Sequence, residues 1–202
     1  QVRQMVRRAI RLSSFVTLPM LLGLFAVADN LVLTLLGEKW LICVPFLRIM
    51  CISYCFWPIH ITNLQAINAM GRSDIFLKLE LVKKTLSLVA LAVGMCFSIY
   101  GMVLLKAIQD FLCTFINGAP NRKLLRYSIW HQWMDVMPSA LLSSMMCAGV
   151  MAVGFLLRQF SPWFRLLVQI GCGVGIYGIL AWMLRMESFF FLTGMLRERM
   201  KR

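Results

Sequence analysis

Four ionisable side chains stand inside long apolar runs of this sequence: Asp29, Arg48, Lys106 and Asp110. A charge at such a depth in hydrocarbon costs on the order of 2.5–3.5 kcal/mol on insertion scales, so it normally faces a bundle interior or a wet cavity. Lys106 and Asp110 are one helical turn apart, with Gln109 between them, so they can pair at i,i+4. Asp29 and Arg48 can pair across helices. Two roles are open for these groups: mutual neutralisation, or a polar lining to a transport path. The two are compatible, because a paired charge can be released during a cycle. Arg48 and Lys106 are the only cations inside these runs and are the candidates for substrate contact. Asp29 and Asp110 are the candidates for pairing or proton coupling.

A further polar set follows Pro58: His60, Thr62, Asn63, Gln65 and Asn68. Positions 61, 64, 67 and 70 stay apolar, so a polar and an apolar face can separate. Pro58 removes a backbone hydrogen bond and can kink the helix. This fits a cavity-lining element that bends, with Asn63, Asn68 and Gln109 as lining candidates. The alternative is a helix end that has already left the membrane.

Other chemistry is weakly signalled. None of the seven cysteines forms a CxxC pair, and no His or carboxylate sits at ligand spacing beside Cys51 and Cys55. They read as small packing residues. His60 and His131 lack a Ser, Cys or carboxylate arranged as a catalytic set. No metal, cofactor or catalytic residue is implied. Gly171, Gly173, Gly175 and Gly178 include a GxxxG spacing, which favours close helix packing.

The elements that must position these residues follow from composition. The chain has 202 residues, 60% hydrophobic and 14% charged, with mean hydropathy +0.79. A soluble domain averages about 25% charged residues, and a soluble globule this apolar would expose large apolar patches. Disordered chains are poor in apolar residues. The expected class is an all-α integral membrane protein forming a single membrane domain over 1–202. Six spans are expected, at about 12–36, 41–70, 77–100, 102–116, 137–157 and 166–184. Gly37-Glu38-Lys39-Trp40, Gly71-Arg72-Ser73-Asp74, Tyr100-Gly101, Ala119-Pro120-Asn121-Arg122-Lys123 and the stretch 158–163 separate them. Ser73 or Asp74 is the expected N-cap of the third span.

The net charge of +13 would suggest nucleic acid in a soluble protein. Here its placement suggests topology instead. Arg3, Arg7, Arg8, Arg11, Arg72, Lys78, Lys83, Lys84, Arg122, Lys123, Arg126, Arg185, Arg197, Arg199, Lys201 and Arg202 fall on one side of a six-span chain. Only Lys39, Arg158 and Arg165 fall on the other. By the positive-inside rule both termini are cytoplasmic. Membrane lipids with anionic head groups are expected partners, and nucleic acid is not. The abrupt basic start at Gln1 suggests a piece of a longer polytopic protein.

Pro19, the run 31–36, Gly37-Glu38-Lys39-Trp40 and Pro45 resemble polysaccharide flippases of the MOP (MATE-like) superfamily. The stretch Ala69-Met70-Gly71-Arg72-Ser73-Asp74-Ile75-Phe76-Leu77-Lys78-Leu79-Glu80, continuing to Lys83 and Lys84, is similar to a cytoplasmic connection of Wzx-type exporters of lipid-linked oligosaccharides. The resemblance covers about residues 10–100 and is mostly topological beyond. It implies a two-lobe, alternating-access transporter, not an enzyme, in a bacterial inner membrane. The substrate would be an undecaprenyl-pyrophosphate-linked sugar unit for surface polysaccharide or lipopolysaccharide. It also implies that these six spans are the C-terminal half, partnered by a missing N-terminal half and by polysaccharide polymerase machinery. A MATE-like drug exporter, a lipid II flippase and a non-transporting assembly protein are the alternatives.

Overall fold

The computed structural model describes residues 2–200, with side chains except at 123 and 195–200. Gln1, Lys201, Arg202 and the side chains of Lys123, Arg197 and Arg199, all used in the charge reading, lie outside the described residues. Everything regular among the described residues is helical. The order is α1 (Val2–Leu35), a 3-10 segment (Glu38–Cys43), α2 (Val44–Tyr54), α3 (Trp57–Ala69), α4 (Ser73–Met95), α5 (Ile99–Leu124), α6 (Ile129–Leu156), α7 (Pro162–Met183) and α8 (Glu187–Met200).

Several expected boundaries move. Helix α1 starts ten residues before Leu12, so Arg3, Arg7, Arg8 and Arg11 are helical rather than part of a loop. At 34 residues and 1.5 Å per residue it is about 51 Å long, far beyond the roughly 30 Å hydrocarbon layer. Its basic turns can therefore extend past the apolar layer. The expected second span is not one kinked helix but two. Pro58 has no N–H for the Tyr54 carbonyl, and the chain turns tightly at Cys55 and Phe56 before α3 begins. The connection expected at Tyr100-Gly101 lies at 96–98. Ser98 is in extended conformation there, and its Oγ accepts from the Gly101 N–H at 3.2 Å, capping α5.

Pro120 does not stop α5, which continues to Leu124. The Asn121 side chain, bonded to Asn63, fixes that last turn against α3. The cap expected at Ser73 or Asp74 is not made by either side chain. Arg72 holds the cap position, and its guanidinium donates to the Asp74 carboxylate at 3.0 and 3.1 Å. Gly71 ends α3 at φ +69°, the left-handed conformation that glycine adopts without a Cβ penalty. Helix α8 lies where only a charged tail was expected.

Five of these segments are long and apolar enough to cross a membrane: Val2–Leu35, Glu38–Ala69, Ile99–Arg122, Ile129–Leu156 and Pro162–Met183. The expected third span is not among them, because Lys78, Glu80, Lys83 and Lys84 crowd the first half of α4. Helix α1 is the axis of the bundle. It packs on α6, α7, α2 and α3, while α4 and α5 form a hairpin attached mainly through α5, with α4 also touching α3.

Polar side chains fix the bundle ends. Near the end of α1, Asn30 donates to Gln169 Oε1 of α7 at 2.5 Å, and Arg165 Nη1 donates to Asn30 Oδ1 at 2.9 Å. At the other end, Arg11 of α1 meets Glu187, just past α7, at 3.2 Å. Helices α1 and α7 are therefore antiparallel.

The GxxxG expectation fails in detail. A Cβ on Gly171, Gly175 or Gly178 would meet nothing within 4 Å. The close approach of α6 and α7 instead uses Gly173 against Val150, and Gly154, whose missing side chain leaves room for the Gln169 amide.

Candidate functional site

Asp110 lies 11 residues into α5, about 16 Å along its axis, a rise of about half the ~30 Å thickness of a hydrocarbon layer. The break between α2 and α3 lies beside it. Ser53 Oγ, on the last turn of α2, donates to Asp110 Oδ2 at 2.8 Å. Lys106 Nζ pairs with Asp110 Oδ1 one turn away, as the spacing predicts.

His60, on the first turn of α3, completes the cluster. Its Nδ1 accepts from Asn117 Nδ2 at 2.9 Å. Its other ring nitrogen, Nε2, then carries the proton and faces the Asp110 carbonyl and Thr114 Oγ1, each at 3.0 Å. Three rings brace the break. Phe56 packs on Phe111 of α5 and on Trp133 of α6, with centroids 5.3 and 5.6 Å apart.

The break and α5 enclose a cavity of about 320 Å³. Ser53, His60, Glu80, Lys83, Gln109, Asp110 and Asn117 supply its polar lining. A second cavity, about 250 Å³, adjoins it through Ser53, Tyr54 and Asp110 and reaches Lys106. Gln109 Oε1 and Asn117 Oδ1 are buried without a protein partner. A native buried acceptor is nearly always satisfied, so both are available to a polar guest. Glu80 and Lys83, both on α4, pair with each other beside the cavity.

The other expected site residues are dispersed. Arg48 donates to Asp29 at 2.5 Å, which meets the pairing expectation. That pair sits on the α1/α2 surface, with Arg48 also over the Phe25 ring at 5.3 Å, and lines neither cavity. Asn63 faces the core rather than a cavity. It is fully buried, donates to Gln132 Oε1 at 2.7 Å and accepts from Asn121 at 2.7 Å. Asn68 is exposed near the end of α3. The polar set of α3 thus splits between core, cavity and surface, because residues 60, 63, 65 and 68 point around the helix rather than along one stripe. Gly71, Arg72, Ser73, Asp74, Lys78 and Lys84 line neither cavity.

One cluster escaped the sequence reading. Asp135, at the start of α6, is buried to 3% side-chain exposure. It accepts from Arg7 at 2.6 and 2.8 Å, from Arg11 at 2.6 and 2.9 Å, and from the Tyr127 hydroxyl at 2.8 Å. Burial and the neighbouring carboxylate push the Tyr127 hydroxyl up, so it remains a donor. The available signal was that Asp135 is the sole acid between residues 111 and 186.

These features describe an all-helical chain with five segments long and apolar enough to cross a membrane, and a polar helix break beside the middle of α5. Residues 1–45 match the family described as polysaccharide biosynthesis protein. No curated protein and no solved structure matches the chain.

Proposed function

We propose that this chain is part of a transporter that carries a lipid-linked oligosaccharide across a bacterial inner membrane by alternating access. It is read as one lobe of a Wzx-type flippase of the MOP superfamily, completed by a second lobe and working beside a polymerase. The observation that carries the reading is the cluster of Asp110, Lys106, Ser53 and His60 at a mid-bilayer helix break. Irregular backbone is tolerated at that depth where it is buried in protein or lines a cavity, and transporters bind near the midplane at broken helices. The family match over residues 1–45 supports a role in polysaccharide synthesis or export.

Six crossings, with both ends cytoplasmic, fit the geometry. The antiparallel placing of α1 and α7 supports an even number of crossings. Five apolar spans become six when α4 crosses beside α5. The basic end then faces the cytoplasm. In this reading Arg48 and Lys106 contact phosphate or sugar, and Asp29 and Asp110 exchange partners or protons.

The test is complementation of surface polysaccharide by the complete gene carrying Arg48→Ala, Lys106→Ala or Asp110→Asn, with membrane insertion checked by immunoblot. Export falling at least tenfold with insertion intact supports the assignment. Wild-type polysaccharide in all three variants overturns it.

A further inference from the structure

The basic end of the bundle carries a groove of about 980 Å³ between the first turns of α1 and the start of α8. Among the described residues Arg7, Arg8, Arg11 and Arg185 line it, with Glu187 as the only carboxylate. Asp135 takes up part of Arg7 and Arg11 from behind. Arg8 and Arg185 make no ion pair among the described residues. Arg8 lies instead over the Phe191 ring, 4.4 Å from its centroid, which fixes the guanidinium at the groove wall.

Arg185 takes a left-handed backbone position, as Arg126 does outside the groove. It follows α7 at φ +48°. Its N–H reaches the Trp182 carbonyl and that of Met186 reaches the Ala181 carbonyl, both at 3.1 Å. This is a Schellman ending, whose left-handed position favours glycine. The same chain places Gly71 there after α3. Nothing in the helix ending requires a cation, and an arginine pays the Cβ penalty that glycine avoids.

The groove has an apolar continuation. Arg185 and Phe190 are shared with a second pocket of about 560 Å³, completed by Trp182 and Met183 on the exposed last turn of α7. Cations therefore stand at the bundle end, and an apolar slot beside the last turn of α7 adjoins them. Trp182 lies at the junction, as interfacial tryptophans do.

We infer that this groove is a binding site for one anionic membrane phospholipid. Its phosphate sits among Arg7, Arg8, Arg11 and Arg185, and an acyl chain runs along Phe190, Trp182 and Met183. The charge complementarity selects an anion, and the apolar slot selects a lipid over a free phosphate. The inference is independent of what the protein transports.

The test uses the full chain in detergent, with native mass spectrometry counting bound lipid after addition of phosphatidylglycerol or phosphatidylcholine. Wild type is expected to retain one phosphatidylglycerol with about tenfold preference over phosphatidylcholine, in line with surface cations acting on anionic lipid. Arg8→Ala with Arg185→Gly should abolish the preference. The glycine keeps the left-handed ending, so the melting temperature should not fall. Arg3→Ala with Arg126→Ala removes two cations outside the groove and should leave the preference intact. Equal loss in both double variants would reduce the effect to bulk charge and overturn the site. Retention unchanged in Arg8→Ala with Arg185→Gly overturns it as well. Displacement of the lipid by millimolar inorganic phosphate would make it an anion site without a lipid role, and that outcome also counts against it.

Discussion

Arg7 grips both carboxylate oxygens of Asp135, at 2.6 and 2.8 Å, across 128 residues of sequence. This contact ties the first turns of α1 to the first turns of α6 and, through Arg11, to Glu187 at the start of α8. A buried carboxylate among two guanidiniums and a phenol is stable only while those donors stay in place. Asp135→Ala strands the buried Tyr127 hydroxyl and leaves two arginines without their shared partner. The expected loss is about 2–3 kcal/mol, read as a lowered melting temperature in detergent. Tyr127→Phe removes one hydrogen bond and should cost about 1 kcal/mol. If Asp135→Ala melts with wild type, the cluster does not hold that end together.

Gly154 makes a different kind of contact. A Cβ at this position would collide with the Gln169 amide, which also accepts from Asn30 and donates to the Val150 carbonyl. Gly154→Ala should therefore cost roughly 1–3 kcal/mol by overpacking. Gly175→Ala, in open space on α7, should be neutral or slightly stabilising through helix propensity. Matching melting temperatures for the two variants would contradict the assigned packing.

Pro58→Ala gives the Tyr54 carbonyl a potential N–H partner and permits α2 and α3 to join. The expected outcome is a stable protein with impaired export, because a continuous helix re-aims Ser53 and His60 away from Asp110. Polysaccharide export at the wild-type level would show that the break is dispensable.

Crossing of α4 is tested at Phe97, an exposed residue in the turn after it. In a cysteine-free background, Phe97→Cys and Lys39→Cys should both react with an impermeant maleimide from outside. Ser128→Cys should not. Protection of Phe97→Cys in intact cells would leave α4 uncrossed and the span count odd.

The sequence by itself determined the class of this protein. Apolar runs of about 20 residues without two-residue alternation read as helices in lipid, because each helix satisfies its own backbone hydrogen bonds and a barrel strand would alternate. Local spacing also gave the Lys106–Asp110 pair, since i,i+4 geometry is built into one helix. The Asp29–Arg48 pair was legible because scarce intramembrane charges have few possible partners.

Tertiary structure decided the rest. Whether Pro58 kinks or breaks a helix depends on what braces the turn, and Phe111 and Trp133 come from helices far along the chain. Whether Pro120 ends α5 depended on Asn63 holding Asn121. Which glycines let helices approach depended on rotation about each axis, which put Gly154 rather than Gly171 and Gly175 at a contact. The cation tally could not tell Arg7 and Arg11, bound to Asp135, from Arg8 and Arg185, held open in a groove. Charge along a chain fixes a side of the membrane, whereas pairing across 128 residues is fixed only when the helices pack.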